Sequence, residues 1–125
     1  MQVLQMKPFE QVVLDQDRLG ALYSELGPSG AEDVVCRAME ELAQRLARSN
    51  TLYHTSDWTG LRKNTRSLIA IAEQVGMFTL AKVACDVTIC IDRQDEIALA
   101  ATLSRLIRTG ERSLTAVWEL QDIPI

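Results

Sequence analysis

Apolar residues recur along the chain at helical spacing, and no convincing strand-like alternation bounded by turn residues breaks the pattern. One predicted buried helix face consists of Val35, Met39, Leu42 and Leu46, which follow one another at intervals of four, three and four residues. Proline occurs only at positions 8, 28 and 124, so residues 29–123 lack the strongest helix breaker. The pattern therefore predicts an all-helical chain.

This periodicity predicts one short helix followed by four long ones, with bounds of about 15–26, 31–49, 57–75, 77–91 and 93–118. Ser56 or Asp57 is expected to cap the second long helix, and Asp92 the last one. Gly76 suits the left-handed position that closes a helix, whereas Gly110 inside the last helix is expected to mark a bend. Four long helices joined by short turns predict an up-down-up-down four-helix bundle, with the short helix added at its N-terminal side.

The second long helix, which lies within the stretch DWTGLRKNTRSLIAIAEQVGM (residues 57–77), has two different faces. Its inward seam consists of Leu61, Thr65, Leu68, Ala72 and Val75, at the spacing of a bundle helix. Its outward face carries Arg62, Arg66, Ile69, Ala70 and Glu73. Two interpretations of the outward face are open. It is either a solvated face with one stray apolar residue, or a docking surface with an apolar centre and a basic rim.

Composition and charge bound the class of protein. The 125 residues are 47% apolar and 24% charged, which is ordinary for a folded domain; we expect a single domain over residues 1–125, with its core over about 12–118. The net charge of −4 argues against nucleic acid or an anionic membrane surface as the main partner. The chain has no signal peptide pattern and no run of about 18 apolar residues, so we expect a cytoplasmic protein that does not enter the membrane.

Candidate catalytic and metal-ligating residues are few. The only histidine, His54, falls in the predicted turn before the second long helix, without carboxylate or cysteine companions, and is expected at the surface. The three cysteines, Cys36, Cys85 and Cys90, form no CxxC pair and stand among apolar neighbours, so buried, reduced thiols are expected. We find no Ser-His-Asp or Cys-His arrangement, phosphate-binding loop or paired-carboxylate motif. The sequence predicts no enzymatic activity, no metal site and no cofactor.

Residues 57–77 resemble the signature helix of histidine-containing phosphotransfer (HPt) domains, the helical carriers of two-component phosphorelays. That family has an acidic-aromatic start, a leucine, the motif His-x-Leu-Lys-Gly, and a glycine ten residues past the histidine. The positions that match here without a gap are Asp57-Trp58, Leu61, Leu68 and Gly76-Met77. The resemblance extends over roughly residues 12–118, with further matches at Glu40-Glu41-Leu42, Leu46 and Leu80-Ala81.

The departures from the family pattern concern its chemistry. Arg66 stands ten residues before Gly76, at the position of the family's phosphorylated histidine, while Ile69 and Ala70 replace its lysine and glycine. An imidazole nitrogen can accept a phosphoryl group, whereas a guanidinium stays protonated and offers only hydrogen-bond donors. The lysine charge that would stabilise the phosphoryl oxygens is also absent. The resemblance therefore implies a degenerate member that cannot carry phosphate at this position.

The resemblance implies a protein partner, either the receiver domain of a response regulator or the histidine kinase that feeds it. Receiver sites are acidic pockets, so Arg66 is expected to act as a fixed cation, with Arg62 at the rim and Ile69 in the apolar centre. Two alternatives stay open: an oligomerisation or scaffold bundle outside phosphorelay signalling, and residual phosphotransfer through His54. The identity of the partner, its response to binding and the oligomeric state do not follow from the sequence.

Overall fold

The computed structural model describes residues 14–121, and over that range it consists of helices without any strand. The four helices are α1 (Gln16–His54), α2 (Trp58–Gln74), α3 (Phe78–Asp92) and α4 (Glu96–Gln121). Each helix packs against its neighbour in the chain, and α4 closes the bundle by packing against α1. The predicted all-α, four-helix bundle is confirmed. The expectations for residues 1–11 and for the end of the chain beyond Gln121 lie outside the described residues.

The predicted short helix is the first part of α1, and a break at Gly27 separates it from the rest. Gly27 has φ 76° and ψ 169°, a conformation that is open to glycine and strained for other residues. Pro28 follows directly, where its missing N–H costs nothing because the first N–H groups of a helix have no partner within the helix. The short helix and the first long helix therefore run as two segments of one kinked element.

Two predicted helix boundaries are wrong. The first long helix does not end at Ser49 but continues to His54, because Ser49 and Leu52 face the core and extend its buried side. Asp92 does not cap the last helix; it is the final residue of α3, and the cap of α4 is Asp95, whose Oδ1 accepts a hydrogen bond from the Ala98 N–H at 3.0 Å.

The other predicted caps agree with the structure. Asp57, one of the two expected caps, accepts a hydrogen bond from the Gly60 N–H at 2.9 Å and so caps α2. Gly76 follows the end of α2 in the left-handed region, with φ 83°. Its carbonyl accepts a hydrogen bond from the Asp15 N–H at 2.8 Å, and Arg18 Nε donates to the Gln74 carbonyl at 2.8 Å. The start of α1 is thereby fastened to the turn between α2 and α3.

Gly110 lies where α4 packs against Leu46 of α1 and not at a break in α4, which runs as one helix through this residue. A Cβ at position 110 would overlap Leu46 Cδ1 and would lie 2.8 Å from its Cδ2 and 3.1 Å from its Cγ. The expected bend is therefore not the reason for this glycine. Glycine is needed because the buried Leu46 side chain fills the space beside it.

In the described part of the chain, no helix combines the length and the apolar character that crossing a membrane requires.

Candidate functional site

Helix α2 presents a buried side to the bundle and an open side to solvent. The predicted inward seam is confirmed, since Leu61, Thr65, Leu68, Ala72 and Val75 are all buried. The seam belongs to the same core as Leu80 and Val83 of α3 and Leu106 of α4. One buried side and one exposed side are usual for an amphipathic helix. The burial of the seam fixes which side of α2 faces outward.

A buried polar residue that the sequence pattern missed, Asn64, also holds α2 in position. Its amide group donates hydrogen bonds of 2.8 Å to the Arg45 carbonyl and of 2.8 Å to Ser49 Oγ, and its carbonyl accepts one of 3.1 Å from Arg45 Nη1. These three bonds join α2 to α1 at a single register. Because a buried amide that loses its partners is costly, these three bonds favour one rotation of α2 about its axis. They therefore favour one orientation of its outer face.

The outward side of α2 carries the five residues expected there, but they are not equally open. Arg66, Ala70 and Glu73 are exposed, whereas Ile69 is half-buried and packs against the core. Arg62 is also half-buried, although its charged end remains in solvent. The structure thus brings the five onto one side of one helix, with Arg66 and Ala70 as the accessible residues at its middle.

Arg62 is held in an ion pair that the sequence did not predict. Its Nε lies 2.7 Å from Oδ1 of Asp92, the last residue of α3, and its Nη2 lies 3.0 Å from Oδ2. These hydrogen bonds, opposed by some desolvation and aided by the positive charges of Arg62 and Arg66, hold the pKa of the Asp92 carboxyl below its usual value. The same bonds raise the pKa of Arg62. Arg62 is therefore a bound cation and not a free residue of the rim.

Arg66 makes no hydrogen bond or ion pair with any residue in the range 14–121. It lies one helical turn beyond Arg62 on the same side of α2, and its charge reaches Asp92 strongly enough to contribute to the lowered pKa of that carboxyl. The side chain is exposed. Arg66 is thus a cation at the middle of the face whose donors are available to a partner.

Helix α3 contributes a second row of exposed residues beside this face. The ion pair between Arg62 and Asp92 places the end of α3 next to the start of α2, so the two helices run antiparallel. Counting back from Asp92 at intervals of three and four residues gives a row whose members are all exposed, namely Ile89, Cys85, Lys82 and Phe78. We use the term α2–α3 strip for this row together with the five outward residues of α2, which are Arg62, Arg66, Ile69, Ala70 and Glu73.

The strip combines exposed apolar and charged side chains, with the charge of Arg66 at its middle. Ile89 of α3 is 42% exposed, lies one turn before Asp92, and also borders the groove between α3 and α4. The spacing of this row is visible in the sequence. Its position beside α2 is not, because the register between two helices depends on packing and on the ion pair between Arg62 and Asp92. Sequence reasoning therefore identified the α2 half of the strip and missed the α3 half.

The remaining candidates lie apart from the strip or differ from expectation. His54, the last residue of α1, is exposed as expected, and its ring contacts that of Tyr53 edge to face at a centroid distance of 5.5 Å. The prediction of buried cysteines is wrong: Cys85 is exposed because it lies on the outer row of α3, and Cys36 and Cys90 are half-buried. Within residues 14–121 no group of three or more histidine, cysteine or acidic side chains is placed to hold a metal ion.

A concavity of about 360 Å³ lies at one end of the bundle, where the start of α2 meets the α3–α4 turn. Trp58, Ile91 and Leu99 provide its apolar walls, and Asp95 and Glu96 lie at its polar side. It shares no lining residue with the α2–α3 strip, and the Asp95 carboxylate is already engaged as the cap of α4. The strip itself is an open surface, which suits contact with a protein better than enclosure of a small molecule.

Comparisons of the chain with protein-family models, with curated proteins and with solved structures find no significant match.

Proposed function

We propose that this protein is an HPt-like signalling domain of a two-component phosphorelay, which binds a receiver domain, or the kinase that feeds it, without carrying phosphate. The observation that carries the proposal is Arg66, an exposed arginine at the middle of the outer face of α2 that has no hydrogen bond or ion pair to any described residue. The resemblance of residues 57–77 to the HPt signature helix places the family's phosphorylated histidine at this position.

The loss of phosphotransfer follows from the side chains at three positions. Arg66 cannot act as a nucleophile toward a phosphoryl group, since its guanidinium stays protonated and its lone pairs are delocalised. Ile69, in place of the family's lysine, adds no positive charge beside it, and Ala70 replaces the glycine. His54 does not replace the missing nucleophile, because it lies at the end of α1 while Arg66 lies eight residues, or about 12 Å of helix, into α2. The proposed role is binding, in the cytoplasm where receivers act.

Charge complementarity supports a receiver as the partner. The phosphorylation site of a receiver is an acidic pocket. Arg66 offers a positively charged side chain whose five N–H donors have no partner within the described residues. Ala70, one turn further along α2, supplies an exposed apolar surface next to it. Such a protein would occupy the receiver and so sequester the regulator or compete with an active carrier.

Calorimetric titration against a panel of receiver domains from the same genome tests the proposal. The variants Arg66→Glu and Ala70→Asp should each weaken binding about tenfold or more, with helicity by circular dichroism unchanged because both side chains are exposed. Ala70→Asp is a cleaner test of the apolar centre than a change at Ile69, which packs against the core. Arg112→Glu, the same charge reversal at an exposed position of α4, is the matched control and should change binding less than about twofold.

Two results would reject the proposal. If neither receivers nor kinases bind the wild-type protein, and light scattering shows a stable oligomer, the alternative of a scaffold bundle outside phosphorelays holds. If a receiver binds but both variants bind as tightly as wild type, the docking surface lies elsewhere on the bundle.

A further inference from the structure

The two arginines on the outer face of α2 differ in whether they are available to a partner. They are four residues apart, about 6 Å along the helix axis, and so lie side by side. Arg62 forms a two-point ion pair with Asp92, with N···O distances of 2.7 and 3.0 Å. Arg66 has no ion pair or hydrogen bond within residues 14–121. Of the two adjacent guanidinium groups, only that of Arg66 therefore has all five donors open within the described residues, whereas that of Arg62 has two of them engaged by Asp92.

Asp92 occupies one of the two edges by which the Arg62 guanidinium can bind a carboxylate. Nε and Nη2 form one edge of the planar guanidinium, and this edge binds the two oxygens of a carboxylate side by side. In this protein the two oxygens come from Asp92 itself. The edge formed by Nη1 and Nη2 stays open, but there the negative charge of Asp92 offsets the charge of Arg62. A carboxylate from an acidic pocket therefore competes with Asp92 for the first edge and is repelled by Asp92 at the second.

The position of Asp92 indicates that α3 and α4 do not require its carboxylate. It is the final residue of α3, where the helix dipole disfavours a negative charge. It does not cap α4, because Asp95 does. The side chains of Arg62 and Asp92 remain 38% and 52% exposed, so the pair is screened by solvent and can open without disturbing the core.

We propose that Asp92 is an internal competitor that withholds Arg62 from the acidic pocket of the partner and so limits the strip to one available arginine. This inference rests on the proposed function, because it takes an acidic receiver pocket as the partner. In the resting protein Arg66 makes the initial contact alone. Removal of the Asp92 carboxylate makes Arg62 available as well, and the strip then presents two guanidinium groups to the same pocket.

The variant Asp92→Asn tests the competition, with Asp86→Asn as the matched control. Both remove one negative charge from α3, but Asp86 has no ion pair or hydrogen bond within the described residues. Asp92→Asn should bind a receiver about three- to tenfold more tightly than wild type at low salt, with the gain shrinking as salt is added. Asp86→Asn should change affinity less than about twofold.

The double variant Asp92→Asn with Arg62→Gln separates competition from a general charge effect. If Arg62 provides the added contact, the gain in affinity should disappear in the double variant. Equal effects of Asp92→Asn and Asp86→Asn, or a gain that persists without Arg62, would overturn the inference.

A titration with inorganic phosphate distinguishes failure of this inference from failure of the proposed function, since it needs no partner protein. The arginine Nε–Hε resonances of ¹⁵N-labelled protein report which guanidinium binds the anion. Phosphate should shift only the Arg66 signal in wild type and the signals of both Arg62 and Arg66 in Asp92→Asn. If Arg62 shifts equally in both proteins, the competition is refuted even where a receiver binds. If the expected shifts occur but no receiver binds wild type, the proposed function fails and the competition for Arg62 stands.

Discussion

Replacement of Gly110 by alanine distinguishes two explanations of this glycine that predict opposite changes in stability. If the glycine only weakens α4, alanine should stabilise the protein by about 0.5–1 kcal/mol, the usual gain in a helix interior. The structure gives a different expectation. The new methyl group would overlap Leu46 Cδ1, and it would lie 2.8 Å from Cδ2 and 3.1 Å from Cγ.

The size of the effect follows from how Leu46 is placed. Both of its methyl groups and the carbon that carries them are too close, so rotation about the last side-chain bond cannot clear all three contacts. Leu46 is only 4% exposed, so either its whole side chain must move or α1 and α4 must separate. An added methyl group in a packed core costs about 1–3 kcal/mol. After subtraction of the helix gain of about 0.5–1 kcal/mol, Gly110→Ala should lower the free energy of unfolding by about 0–2.5 kcal/mol.

Urea unfolding followed by circular dichroism measures the change, and two further variants make the test specific. Gly20→Ala, in α1, is the matched control because no atom of residues 14–121 outside its own helical neighbourhood lies within 4 Å of the added Cβ; it should stabilise by about 0.5–1 kcal/mol. Leu46→Ala alone should cost about 2–5 kcal/mol, and in that background Gly110→Ala should become neutral or stabilising. Stabilisation by Gly110→Ala in the wild-type background would refute the reasoning from close packing.

Three further variants should be measured by the same unfolding assay. Asn64→Ala removes three hydrogen bonds between α1 and α2 and should lower stability by about 2–4 kcal/mol; a loss under about 0.5 kcal/mol would show that the network does not hold α2. Gly76→Ala forces a side chain into φ 83° with Arg18 Cβ only 3.0 Å from the new Cβ, and should cost about 1–3 kcal/mol. The pKa of Asp92 is lowered by its hydrogen bonds from Arg62. The ion pair between Asp92 and Arg62 thus stabilises the folded protein fully above the pKa of an aspartate in the unfolded chain, about 3.9. This stabilisation is lost as the pH falls through the lower pKa that Asp92 has in the folded protein. Asp92→Asn should therefore be less stable than wild type at neutral pH, with the difference vanishing in strong acid; a constant difference would contradict the assignment.

The fold could be predicted because the burial pattern of each helix is local in sequence. The spacing of Leu61, Leu68 and Ala72 is sufficient to identify the inward side of α2, and all three are buried. The boundary errors have a specific cause. Polar residues such as Ser49 and Asn50 suggest a turn, whereas in the bundle Ser49 is buried and bonds to the α1 backbone and to Asn64.

The site could be predicted only in part, because half of it depends on contacts between helices. The outward position of Arg66 follows from the periodicity of α2 alone. The pairing of Arg62 with Asp92 joins residues 30 positions apart and depends on how α2 and α3 pack. No pattern within a single helix contains that information.

The central claim is that the strip binds a receiver without accepting its phosphate. The most direct test measures phosphate transfer and complex formation on the same sample. The protein is incubated with a receiver carrying a radioactive aspartyl phosphate, and the mixture is divided between size-exclusion chromatography and an assay for acid-labile label on this chain. We predict that the two proteins elute together and that this chain acquires no label. Label on the chain, at His54 or at any other residue, or a receiver that never elutes with the wild-type protein, would contradict the claim.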